Sequence, residues 1–210
     1  SRLSSQKNKL DHLGILSASL TNLDGSFQAQ GGSQPTLLSL FVQMLFLDDL
    51  PIVGQLLPTV QETGKAARHK QFLQHKLTNK LYQKGWVAGT AMMLRKQLID
   101  DIGLLDENIF MYGEDIEYCL RAKNHHWDIA IDPQAVVVHH GSASSSSESA
   151  ILGEIKAYLY IWAKHKPHWQ RSFVQLILYI GIILRICLYS TFFRSRSKIN
   201  TYKKALSLID

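Results

Sequence analysis

Hydrophobic and polar positions along the chain follow two periods. Residues 13–20 read as a short strand, and an Asp24-Gly25 turn within 21–26 folds residues 27–30 back as a second hairpin arm. From 36 to 50 the apolar positions recur at helical spacing (Leu37, Leu40, Phe41, Met44, Leu45), and Pro51 ends that helix. Residues 52–80 are broken by Gly54, Pro58 and Gly64; they read as a basic surface excursion, helical between 66 and 77. Residues 86–94 form an apolar run of strand type, and 95–102 a short helix stopped by Gly103.

A helix is expected over 114–124, with Ile116, Cys119 and Leu120 on one face and Glu117 and Arg121 paired on another. Trp127, Ile129 and Ile131 alternate with polar or small residues as a half-buried strand that Pro133 ends, and 135–138 make the last strand. The serine-rich stretch 142–149 reads as a loop and helix cap, followed by a stripe of Ile151, Ile155, Tyr158 and Trp162 that Pro167 closes. Residues 1–9 suit a polar helix end.

The run 173–193 is long enough to cross a bilayer, yet Arg185 lies inside it, and a charge deep in lipid is expensive. At 100° per residue, Arg171, Gln175, Arg185, Tyr189 and Arg196 share one narrow stripe, which favours a helix lying in the membrane interface over a span. A soluble docking helix for a partner is the alternative.

Charge supports a membrane-facing tail. Of 23 lysines and arginines, nine fall from Lys164 onward against one acid, Asp210, leaving 14 bases and 16 acids for the rest. The overall +6 therefore belongs to the tail, which argues for anionic lipid and against a nucleic-acid-binding body. Two cysteines, Cys119 and Cys187, one in a core helix and one in the apolar run, suit a reducing compartment without a bridge. No signal peptide is visible at the polar start, and without an initiator Met the chain reads as beginning inside a longer protein.

Candidate chemistry concentrates between Trp86 and Gly141. Glu114 and Asp115 open a helix, where acids complement the dipole and the free N–H groups; alternatively Asp115 is a general base at a cleft edge, with Gly113 leaving the approach open. His139 and His140 point to opposite faces of a strand, so only one enters a given site, as a surface imidazole or as a ligand to a metal or phosphate. Gly89 permits close approach to a ligand or marks a strand-end bulge.

The order and spacing of these signals resemble the family 2 glycosyltransferases, in particular their bacterial rhamnosyltransferase-like members. The match runs through Gly89 to Arg95, Ile102-Gly103-x-Leu105-Asp106-Glu107, Phe110-x-Tyr112-Gly113-Glu114-Asp115-x-x-x-Cys119-x-Arg121, Pro133-x-Ala135-x-Val137 and His139-His140-Gly141, preceded by a Gly14-Ile15 strand and the hairpin 22–28. The resemblance implies an α/β fold of the GT-A, Rossmann-like type. It implies inverting transfer of a sugar from a nucleoside-diphosphate donor to an acceptor hydroxyl in surface polysaccharide or glycolipid synthesis. Asp115 would be the base and Glu114 its neighbour in the motif. Trp86, Gly89, Thr90 and Gly113 would line the cleft, and one of His139 and His140 would stand on the metal or diphosphate side.

One departure matters. Nothing before Trp86 supplies the Asp-x-Asp type motif that grips cation and diphosphate in such enzymes; Asp48-Asp49 follows the hairpin, in the wrong place. The chain is thus expected to be an incomplete domain lacking its N-terminal nucleotide-binding half, over 1–149, either as a fragment or with that half on a separate chain, with an amphipathic helix at 150–166 and a basic tail, 167–210, bearing the membrane-associated helix. A divalent Mg or Mn ion would take its remaining ligands from the missing half, and these residues alone would not turn over nucleotide sugar. The implied place is the cytoplasmic face of a bacterial inner membrane. Two other readings stand beside transfer: a non-catalytic remnant docking on membranes or another transferase, and a metallohydrolase, which the absence of several spaced metal ligands disfavours.

Overall fold

In a computed structural model, described for residues 11–62, 64–140 and 147–209, five strands form one sheet with helices packed against it. Strand β1 (Leu13–Thr21) is its centre. Along one edge β1 pairs in parallel with β5 (Asp128–Val138), and it also pairs antiparallel with β2 (Phe27–Gln28) near one end and with β4 (Met92–Leu94) near the other. The short β3 (Tyr82–Gln83) adds to β5. Ile15, Leu20, Ile129 and Ile131 are almost fully enclosed, as a strand covered on both faces requires.

The first helix among the described residues, α1 (Leu37–Met44), starts with a capping box in which Thr36 and Ser39 satisfy each other's backbone N–H groups. It ends well before residue 50, because Phe46 takes a left-handed backbone (φ 58°). After a 3-10 turn at Leu47–Asp49 come α2 (Val53–Leu56) and the basic α3 (Lys65–Leu77). Next are α4 (Lys96–Ile102), α5 (Glu114–Asn124), α6 (Ser147–His165), α7 (Gln170–Thr191) and α8 (Arg196–Leu206). Ile155, Tyr158, Trp162, Val174, Leu178, Ile182 and Ala205 from the last three share one apolar core with Leu40, Ile116, Leu120 and Ile129. The C-terminal helices are therefore built into the domain.

Two strand expectations are corrected. The apolar run 86–94 is not a strand: Trp86 makes an isolated bridge to Gly32, Gly89–Ala91 is a 3-10 turn, and only Met92–Leu94 pairs. Its apolarity serves packing instead. Trp86 is buried with its Nε1 donating to the Val60 carbonyl at 2.6 Å, Val87 is enclosed, and Met93 faces outward. Nor does Pro133 end a strand. β5 runs through it, because the register against β1 jumps from Ala18↔Asp132 to Ser19↔Val136, placing the proline in a bulge where no ladder N–H is needed.

The polar stripe of α7 is also turned the other way from the expected interfacial arrangement. Arg185 donates to the carbonyls of Met44 (2.6 Å) and Gln43 (3.3 Å) at the end of α1, and its guanidinium lies 4.2 Å from the centre of the Phe46 ring. Gln175 donates to the Ile209 carbonyl, Arg171 to that of Ala163, and Tyr189 stacks on Tyr202. The polar face docks on the domain, and Phe173, Leu176, Tyr179, Ile180 and Ile183 are left exposed. Both cysteines are free. The expected helix end at 1–9 and most of the expected loop at 142–149 lie outside the described residues.

Candidate active site

The site is made where α5 begins. Tyr112 (φ 68°) and Gly113 (φ 114°) both take positive φ and turn the chain sharply into the helix. Gly113 is needed for that backbone and for space, since a Cβ there would overlap the Cβ of Ala157 on α6. Its lack of a side chain lets α6 close onto the turn, and Gly113 also lines the cleft beside Asp115. Gly113→Ala is accordingly expected to lower stability by about 2 kcal/mol or more, readable as a fall in the denaturation midpoint.

Asp115, in the first turn, has its Oδ1 held by the Ile116 N–H (2.8 Å) and its Oδ2 by the Gly89 N–H (3.1 Å). Burial pushes its carboxyl up to about 6, helped by the charge of Glu114, while the N–H groups of Gly89 and Ile116 pull it down. It lines a cleft of about 520 Å³ together with Trp86, Gly89, Thr90, Gly113, Glu114 and His139. An alanine Cβ at 89 would meet the Asp115 Cβ at an ordinary 3.8 Å, so Gly89 contributes its N–H more than its lack of side chain.

Of the two histidines, His139 reaches the cleft, its Nδ1 3.0 Å from Gln28 Oε1 at the hairpin, whereas His140 is exposed and does not line it. Glu114 Oε2 is buried without a hydrogen-bond partner among the described residues. Such an atom is costly unless a ligand satisfies it. No three of the described His, Cys, Asp and Glu side chains converge as a metal site. Among the described residues, His139 is the imidazole that shares the cleft with the carboxyl groups of Glu114 and Asp115.

Among the cleft residues that were not legible in the sequence, two are polar and carry no motif. Glu154 on α6 lines the cleft too, its Oε1 accepting from Tyr158 (2.8 Å) and Gln43 (2.9 Å), with burial pushing its carboxyl up. Gln61 joins it, its N–H bound to Gln43 Oε1. Glu154 stands within a helical stripe that reads as core, and only the approach of α6 to the Gly113 turn brings it in.

Behind the site, α5 is locked to α6 by ions. Glu117, wholly enclosed, accepts from Arg121 Nε at 2.9 Å on both oxygens and sits 2.7 Å from His165 Nε2. Arg121 also donates to the carbonyls of Ile102 and Leu104. Desolvation tends to raise the Asp106 carboxyl, but bonds from Lys164, Tyr160 and Asn108 outweigh it and hold the group well below the usual range. Since that folded pKa is depressed, its contribution to stability is present at neutral pH and is lost as pH falls below the ordinary carboxylate value.

The mixed α/β sheet with helices packed against it is consistent with a partial GT-A-like domain. The sequence model described as "Glycosyltransferase like family 2" matches residues 33–153, more than half of the 210-residue chain, and the chain belongs to that family. Among individual proteins it is similar to the N-acetylglucosaminyl-diphospho-decaprenol L-rhamnosyltransferase of Mycobacterium tuberculosis, in strains CDC 1551 / Oshkosh and ATCC 25618 / H37Rv. Each is 28% identical over 89 residues, covering 41% of this chain and 29% of the relative. The chain thus spans less than a third of the length of these relatives.

Proposed function

We propose that this chain is the acceptor-side part of an inverting glycosyltransferase that moves a sugar from a nucleoside-diphosphate donor to a hydroxyl of a lipid-linked glycan at a membrane surface. The observation that carries this reading is Asp115, a half-buried carboxylate held by two N–H groups and opening on the cleft. Each oxygen keeps a lone pair for the acceptor's proton, and a raised pKa makes the ionised form a better base near neutrality. As the acceptor O–H proton passes to Asp115, the oxygen attacks the anomeric carbon, and the bond to the diphosphate breaks with its electron pair leaving on the nucleotide. Attack opposite the leaving group inverts the centre, and Asp115 then returns the proton to solvent. Glu114, with its unpartnered oxygen, suits a sugar hydroxyl as hydrogen-bond donor.

The relatives' name gives the acceptor class, a sugar on a polyprenyl diphosphate, and surface glycan synthesis on the cytoplasmic side of a bacterial membrane accords with it. The outward apolar face of α7, flanked by Lys166, Arg194, Arg196 and Lys198, suits shallow insertion into anionic lipid. Replacing Phe173, Leu176 and Ile180 by serine is expected to cost at least about tenfold in partition onto vesicles containing anionic lipid, measured by flotation. Undiminished flotation would remove α7 as the membrane contact.

The function is tested by assaying the chain together with a nucleotide-binding half, using labelled nucleotide-sugar donors and a glycosyl-diphospho-lipid acceptor. Transfer with inverted configuration is the expected outcome. Retention would remove the single-displacement step. Absence of any transfer, with folding intact, would leave a membrane- or partner-docking role.

A further inference from the structure

We infer that the groove between the 106–112 loop and α6 receives the prenyl diphosphate of the acceptor, while the acceptor's sugar occupies the cleft; this rests on the lipid-linked acceptor proposed above. The groove has a volume of about 640 Å³ and runs on from the cleft, since Met111, Tyr112 and Ala157 line both. It therefore begins beside the turn that carries Asp115.

The two chambers differ in chemistry. The cleft is lined by three carboxyl groups, Glu114, Asp115 and Glu154, which welcome hydroxyls and repel a diphosphate. The groove has no carboxylate in its lining and one cation, Lys156. Lys156 is exposed and pairs with no acid among the described residues, in contrast to Lys164 two turns further along the same helix, which is committed to Asp106. Its apolar lining is also open: Phe110 is 92% exposed, and Met111 beside it is exposed too. Large apolar side chains left in water beside a catalytic turn, next to an unpaired ammonium, match an amphipathic anion. The acceptor's sugar would then meet the carboxyls of the cleft, and its diphosphate and prenyl chain the cation and the apolar surface of the adjoining groove.

The test uses the intact chain with farnesyl diphosphate carrying a photoreactive group on its prenyl tail, and with farnesol and inorganic diphosphate as competitors. Crosslinks are expected on the peptides containing Phe110 and Leu152. Phe110→Ser and Lys156→Ala should each weaken farnesyl diphosphate binding by about tenfold, as loss of one buried apolar or charge-assisted contact does. Lys156→Ala should leave farnesol binding unchanged. Crosslinks on α7 would mean that the apolar tail simply joins the membrane face, and would overturn the assignment. So would equal competition by inorganic diphosphate, absence of crosslinking, or binding that ignores both substitutions in variants with wild-type circular dichroism. The transfer reading fails separately: crosslinks in the groove without any sugar transfer in the reconstituted assay would sink the enzymatic function and keep the lipid site.

Discussion

Asp115→Asn is expected to abolish transfer in the reconstituted enzyme, by about a hundredfold or more as loss of a general base does, while making the fold more stable at neutral pH. The two effects share one cause. Burial and Glu114 raise the Asp115 carboxyl to about 6, so the folded chain binds that proton more tightly than the unfolded chain does. The associated stability is fully present at acid pH and is lost as pH rises from about 4 through about 6. Above that the ionised carboxylate is a burden on the fold, worth up to about 3 kcal/mol at roughly 1.4 kcal/mol per pKa unit. Asparagine keeps the shape and an acceptor oxygen for the Ile116 N–H but carries no charge; its NH2 leaves the Gly89 N–H without that acceptor, which offsets part of the gain. A rise in melting temperature of a few degrees, together with lost transfer, is the expected pair of readings. Transfer retained in this variant would remove Asp115 as base.

Glu117→Gln should do the opposite, costing about 3 kcal/mol or more and lowering the melting temperature by roughly 10 °C. The enclosed Glu117 carboxylate is the common partner of Arg121 and His165, and breaking a buried pair from one side strands the remaining charge. The double change Glu117→Leu with Arg121→Met removes both charges and should recover much of the loss. Thermal unfolding of the three proteins decides it: equal stability of Glu117→Gln and the parent would mean that the network does not hold α5 against α6.

Much of this architecture was legible in the chain. The 3.6-residue period located α5 over its full length and the core stripe of α6, and the Asp24-Gly25 turn located the β1–β2 hairpin. Failures came where one pattern serves two purposes. The apolar run around Val87 looks like a strand because burial requires the same residues whether or not the backbone pairs, and here it wraps the core between Gly32 and β4. Pro133 signals an end only in a regular ladder, and a bulge removes that constraint. The α7 stripe was visible, but a helical wheel does not say which side is covered. Arg185 faces inward because the free carbonyls closing α1 need donors.

The site was legible in part for the same reason. Local order put Glu114 and Asp115 at a helix start, and alternation showed that only one of His139 and His140 enters the cleft. Which one follows from the parallel pairing of β5 with β1, which brings His139 beside Gln28 of the neighbouring hairpin. Glu154 and Gln61 arrive through tertiary packing alone and left no local mark.

The most direct test of the account is the pH dependence of single-turnover transfer in the reconstituted enzyme at saturating acceptor. If the acceptor's proton goes to the Asp115 carboxylate, the rate falls about tenfold per unit below an apparent pKa near 6 and levels off above it. A profile flat from pH 4.5 to 8, or one whose midpoint stays the same in Asp115→Asn, would contradict it.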